Sequence, residues 1–158
     1  MKFRFLQSID DSPTQWDVDL YEKYYSKNKH KFTEEARDLA DPTRYDFGKQ
    51  SLNKSRLIDF SCSLNSRAEV SPGMQVDIRI LNRYSNVEFL LTYFDVAVFE
   101  SENLVLRGAP WICTHELTLL KSHWIRHAWS MMNGSQALIV ARNINFKARD
   151  VSVTPGRT

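Results

Sequence analysis

Apolar and polar residues alternate along most of the chain after residue 55, which is the pattern of β-strands with one buried face. The cleanest segment has Val76, Ile78 and Ile80 at every second position, with polar residues between them. Similar alternation over residues 58–64, 87–93, 111–119, 125–131 and 138–146 predicts further strands. The alternation changes phase near Phe94 and Asp95, which predicts a bulge or bend there.

Turn signals separate these segments from one another. Ser-Pro-Gly at residues 71–73 and Gly-Ala-Pro at residues 108–110 interrupt the alternation. Asn133 and Gly134 are the strongest hairpin signal in the chain, because both central residues of a type I′ turn need positive φ. The pattern therefore predicts antiparallel strands joined by short turns.

The N-terminal part of the chain predicts one short strand and two helices. Residues 1–6 alternate as a strand does. Ser-Pro at residues 12–13 suits the start of a helix, whose apolar stripe then includes Trp16 and ends near residue 25. Thr33 is suited to cap a second helix, which Pro42 stops.

These elements predict an α+β fold, with one or two N-terminal helices packed on a twisted antiparallel β-sheet of five to seven strands. The 158 residues suffice for one domain with a hydrophobic core. We expect a single domain over residues 1–150 and a flexible tail at residues 151–158.

Composition and charge narrow the classes of function. The chain has 21 basic and 19 acidic residues, which creates no long-range field toward nucleic acid or an anionic membrane, and we expect neither as a partner. No apolar run is long enough for a signal peptide or a membrane span, so we expect a cytoplasmic protein with reduced cysteines. The basic run at residues 27–31 is interpreted as a solvated loop after a helix, with an anion contact as the alternative.

Two histidines interrupt the apolar faces of the last strands. The register that keeps apolar faces together has Leu119 opposite Ile125. His115 and His127 then become diagonal neighbours, with Cys113 one step along from His115. Such groups can bind zinc or act as nucleophile and base, but this spacing has no fourth ligand, so we favour buried, hydrogen-bonded histidines and expect no cofactor. A different register places an acidic residue opposite the second histidine, as a structural pair.

The other face of the same strands offers a candidate binding surface. Trp124 and Arg126 lie opposite the Ile125 face, and Arg142 follows on the next strand. Trp and Arg are over-represented among binding hot spots. The alternative is ordinary sheet surface or a second packed layer. No signature of a hydrolase, a metalloprotease, a phosphate loop or a dinucleotide site occurs, so we expect no catalytic residues.

The C-terminal half resembles small bacterial proteins that accompany polymorphic or contact-dependent toxins as immunity proteins. The likeness lies in residues 112–117, residues 124–127, the turn at residues 133–134 and residues 144–146, and in the leucine-led entry to the first sheet strand at residues 50–57. It covers about residues 50–148 and is one of pattern more than of individual residues.

This resemblance implies a cytoplasmic protein-binding module that neutralises one cognate toxin by occluding its active site. Inhibitors of basic nucleases are often acidic, whereas this chain is slightly basic, so the class of toxin stays open. Two alternatives also stay open: a metal-binding protein or small enzyme that uses Cys113, His115 and His127, and a small-ligand-binding domain.

Overall fold

The computed structural model describes residues 3–8, 16–45, 51–65, 73–102 and 110–151. The predicted α+β class is confirmed, because two helices accompany one antiparallel sheet of six strands. The helices are α1 (Asp19–Asn28) and α2 (Glu34–Ala40). The strands are β1 (Gln7–Ser8), β2 (Trp16–Asp17), β3 (Arg56–Asn65), β4 (Gly73–Leu81), β5 (Val87–Glu102), β6 (Ile112–Leu119), β7 (Ile125–Met131) and β8 (Gln136–Asp150). In these described segments, the helices are all too short or too polar to cross a membrane.

The six-stranded sheet has the order β3-β4-β5-β8-β7-β6, and every neighbouring pair is antiparallel. The predicted hairpin between β7 and β8 is confirmed, but its predicted type I′ turn is wrong, since Gly134 has a φ of +81° whereas Asn133 does not have positive φ. The amide of Met131 donates to the carbonyl of Ser135 across a three-residue loop. The two edge strands meet at one corner of the sheet. There the amide of Lys54 donates to the carbonyl of Ile112 at 2.7 Å, and the amide of Leu57 donates to the carbonyl of Pro110 at 3.0 Å.

The predicted irregularity near residue 95 is confirmed as a bend of β5 together with β8. Asp95 has a φ of +52°, and both Tyr93 and Val96 are buried, so the inward side changes from odd to even positions. Gly73 lies against this bend. A Cβ atom at Gly73 would lie 2.3 Å from the Oδ1 atom of Asp95, so a larger residue at the start of β4 would require that exposed carboxylate to move.

The second helix follows the prediction, whereas the first does not. The Thr33 side chain accepts a hydrogen bond from the amide of Ala36 at 3.3 Å, and α2 ends one residue before Asp41. The first helix was expected to include Trp16, but Trp16 belongs to β2, which pairs with β1. The helix starts at Asp19, and the predicted cap at residues 12–13 lies outside the described residues. The strand expected over residues 1–6 is wrong for residues 3–6, since β1 starts at residue 7.

One face of the sheet and helix α2 form the main hydrophobic core. Phe89, Leu91 and Tyr93 of β5 are buried in it, and Leu39 supplies the contribution of α2. A smaller cluster forms where the N-terminal segment meets α1, around Leu6. The two cores lie on either side of the β6–β7 hairpin, so the hairpin is buried on both faces.

Gly73→Ala should lower the free energy of unfolding by about 1–3 kcal/mol, because the new methyl group overlaps the Asp95 carboxylate. The same substitution is also made in the Asp95→Gly variant, since glycine accepts the positive φ at position 95 and has no carboxylate. Urea unfolding of the two single variants and the double variant measures the coupling. An equal loss for Gly73→Ala in both backgrounds would show that the overlap is unimportant.

Candidate functional site

The β6–β7 hairpin carries most of the residues that the sequence singles out, and its predicted register is confirmed. Leu119 pairs with Ile125, and His115 pairs with Trp129. Seven of the eight residues of β6 and all seven of β7 are buried. The polar groups on both faces therefore need partners within the protein.

On the core face, three side chains form a hydrogen-bonded chain. The Tyr93 hydroxyl lies 2.6 Å from the Nδ1 atom of His127, and the Nε2 atom of His127 lies 3.0 Å from the Nδ1 atom of His115. The Trp129 ring stacks close by, with its centroid 4.1 Å from that of His127. The prediction that the two histidines are neighbours is confirmed.

Burial decides the protonation of this chain. His127 is fully buried, and its pKa is lowered well below the ordinary value by desolvation, with further contributions from His115 and Arg126. Desolvation also raises the pKa of Tyr93 well above its ordinary value, which the neighbouring Trp129 indole offsets in part. We infer that Tyr93 donates to His127, and that neutral His127 donates through Nε2 to His115. With both histidines at 0% exposure, the chain is closed to a substrate from solution.

Cys113 does not extend the histidine chain into a metal site. The pairing of β6 with β7 shifts between Ile112 and Thr114, so Cys113 lies at an irregularity and leaves the regular alternation. Burial raises the pKa of its thiol, which favours the protonated form over the thiolate that binds metals. Within the described segments, no three His, Cys, Asp or Glu side chains are grouped to hold a metal ion.

The opposite face of the hairpin centres on Glu116, which the sequence suggests only as a partner of His127 in an alternative register. That register is wrong, because Glu116 pairs with Ala128. Glu116 has no exposed surface, and its two oxygens accept hydrogen bonds from three consecutive amides. The amides of Arg4, Phe5 and Leu6 lie 2.9, 2.7 and 2.9 Å from these oxygens. Glu116 therefore holds the N-terminal segment against β6. Its only signal in the sequence was that it is an acidic residue inside a predicted strand.

The position of Arg126 contradicts the predicted binding surface. It was expected to be presented on an open sheet face, but only 8% of it is exposed. Its Nη1 atom lies 3.4 Å from the Oε1 atom of Glu116, and its pKa is lowered by desolvation, against which the Glu116 charge acts. The N-terminal segment covers this part of the face, so Arg126 has a structural partner there.

Trp124 and Arg142 do share an accessible surface. Arg142 is exposed, Trp124 is half-buried, and the guanidinium carbon of Arg142 lies 5.4 Å from the Trp124 ring centroid. This distance is within the range of a cation–π contact. The pair lies between two grooves, because Trp124 lines one and Arg142 lines the other.

The first groove has a volume of about 560 Å³ and the second of about 470 Å³. The first groove is lined by Arg4, Ala97, Leu119, Leu120, Lys121, Trp124 and Val140. The second is lined by Lys31, Phe32, Thr33, Asp95, Leu119, His123, Ile125, Arg142 and Asn143. By contrast, the apolar cavity beside Trp129 has about 20 Å³, which is room for about one water molecule.

No family model matches the chain, and no curated protein and no solved structure matches it either. The geometry of these residues is therefore the basis for inferring a function. The accessible features are the Trp124–Arg142 pair and its two grooves, whereas the histidine chain and Glu116 are enclosed.

The free energy of unfolding should fall on acidification, because folded His127 stays neutral while unfolded His127 takes up a proton below its ordinary pKa of about 6.5. Its stabilising contribution is complete above that pH and is lost progressively below it. Between about pH 7.5 and about pH 5.5, the loss should be about 1.4 kcal/mol. Urea unfolding at the two pH values measures it.

His127→Gln should reduce this pH dependence, since the amide can hydrogen-bond but does not titrate in this range. His30→Gln is the matched control, because His30 is exposed just after α1 and has no part in the buried hydrogen-bonded chain. An unaltered slope in His127→Gln would contradict the assignment.

Proposed function

We propose that this chain is a protein-binding module, an immunity protein that neutralises a cognate bacterial toxin by occluding its active site. The observation that carries the proposal is the Trp124–Arg142 pair, held between two grooves on the surface of a buried hairpin. Tryptophan and arginine are the residues most enriched at the energetic centres of protein interfaces.

The position of Trp124 suits an interface anchor. It directly precedes Ile125, which is buried and pairs with both Leu119 and Ala141. The backbone that carries the indole is therefore fixed before a partner binds, and the Arg142 contact restricts the ring further. Little conformational entropy is lost when such a side chain enters an interface.

The remaining features favour binding over catalysis. The titratable chain of Tyr93, His127 and His115 is fully buried, so no substrate from solution reaches it. The enclosed cavity is also far below the volume of a typical small-ligand pocket, which is about 300 Å³ or more, whereas the two grooves exceed that volume but are open at the surface. A ligand of protein size, which needs an outer surface and no deep pocket, fits this arrangement best.

The test is a growth assay with the polypeptide encoded immediately upstream of this gene in its native genome. Expression of that polypeptide alone should stop growth, and co-expression of this chain should restore it. The double variant Trp124→Ala, Arg142→Ala should weaken the complex by a factor of about 100 or more, as expected for the loss of two hot-spot residues. Colony counts and the Kd of the purified pair measure the effect.

The matched control is Arg83→Ala, Tyr84→Ala. This second exposed pair also forms a cation–π contact, with the Arg83 guanidinium carbon 5.1 Å from the Tyr84 ring centroid, but it lies in the turn between β4 and β5. It should keep full protection. Full protection by the Trp124 variant, or a loss of protection that follows only from a lowered Tm, would overturn the proposal.

A further inference from the structure

We infer that the partner presents an acidic and aliphatic protein segment to the two grooves beside Trp124; the identification of that partner as a toxin rests on the proposed function. The grooves are strongly biased in charge. Arg4 and Lys121 line the first, and Lys31, His123 and Arg142 line the second. Asp95 is the one carboxylate among the lining residues.

Two arginines elsewhere on the described surface do have a carboxylate partner. Arg79 and Arg149 both bind Glu88, so their charges are compensated locally. Within the described segments, no carboxylate forms an ion pair with Arg4, Lys31, Lys121 or Arg142. Four Lys and Arg side chains that have no carboxylate partner among the described residues therefore line the two grooves around Trp124, against one carboxylate. Such a patch is complementary to an acidic surface.

The apolar lining decides between a protein and a nucleic acid. Ala97, Leu119, Leu120 and Val140 give the first groove an aliphatic wall. Single-stranded nucleic acids need aromatic platforms for successive bases. Trp124 is the one aromatic side chain lining the first groove, and Arg142 already stacks on it. The two rings in the second groove are those of Phe32 and His123, and Phe32 is buried. Leucine or valine side chains fill such a wall, and glutamate or aspartate side chains reach its rim.

The same charge narrows the class of toxin. The cleft of a nuclease attracts phosphates and is itself cationic, so this patch would repel it. An active site that this surface covers is acidic. This explains the absence of the overall negative charge that inhibitors of nucleases often carry.

The experiment uses two fluorescein-labelled probes with the purified full chain: a short glutamate-rich peptide with leucines at intervals, and a single-stranded DNA of similar charge. Fluorescence anisotropy should show binding of the peptide, weakened by added salt, and none of the DNA. Lys121→Glu, Arg142→Glu should lower the peptide affinity by a factor of about 10 or more. Arg83→Glu, Lys147→Glu makes the same change in net charge outside the grooves and should keep the affinity.

Binding of the DNA as tight as that of the peptide would overturn the inference, as would no peptide binding or equal losses in the two charge-reversed variants. The growth assay separates this inference from the proposed function. Peptide binding that depends on Lys121 and Arg142, together with no protection against the upstream polypeptide, would support the acidic partner and refute the immunity role. Protection without peptide binding would support the immunity role and refute the acidic partner.

Discussion

The buried carboxylate of Glu116 is the interaction on which the rest of the structure depends. A charged group with no exposed surface is stable only when hydrogen bonds replace its hydration, and here three backbone amides and Arg126 do so. Because the amides belong to residues 4–6, the same bonds fix the N-terminal segment on β6. That segment in turn brings α1 to the edge of the sheet, where Phe5 stacks on Tyr24 at a centroid distance of 4.4 Å.

Two tyrosines of α1 complete the closure of this edge. The Tyr21 hydroxyl donates to the carbonyl of Leu117 at 3.0 Å, and the amide of Leu119 donates to the Tyr24 hydroxyl at 2.6 Å. Side chains thus occupy backbone groups that an edge strand otherwise offers to another chain. With both faces and the outer edge covered, the hairpin is a fixed support, and its end presents Trp124. The protein can therefore place a rigid anchor on its surface although its polar groups are mostly used internally.

The alternation of side chains between the two faces of a strand explains how much of this could be predicted from the sequence. Alternation is a local signal, and keeping the apolar faces of β6 and β7 together predicted the register that brings His115 to His127. The Asn133–Gly134 turn is a second local signal, which predicted the hairpin of β7 and β8. This alternation assigns a residue to a face of the sheet, but it does not indicate whether another segment covers that face. Arg126 was misplaced for this reason, because the covering groups are backbone amides more than 100 residues away, and amides carry no sequence signature. The start of the first helix was predicted wrongly because the two strands before it have two residues each, which is too short to show a period.

The most direct test of this account is hydrogen exchange at the amides of Phe5 and Leu6, measured by NMR on the folded protein. If Glu116 holds the N-terminal segment, both amides should exchange as slowly as those in the middle of β6, although they lie near a chain terminus and outside the six-stranded sheet. Exchange of both at the rate of an unstructured peptide would contradict the account, since the hairpin would then lack its outer cover.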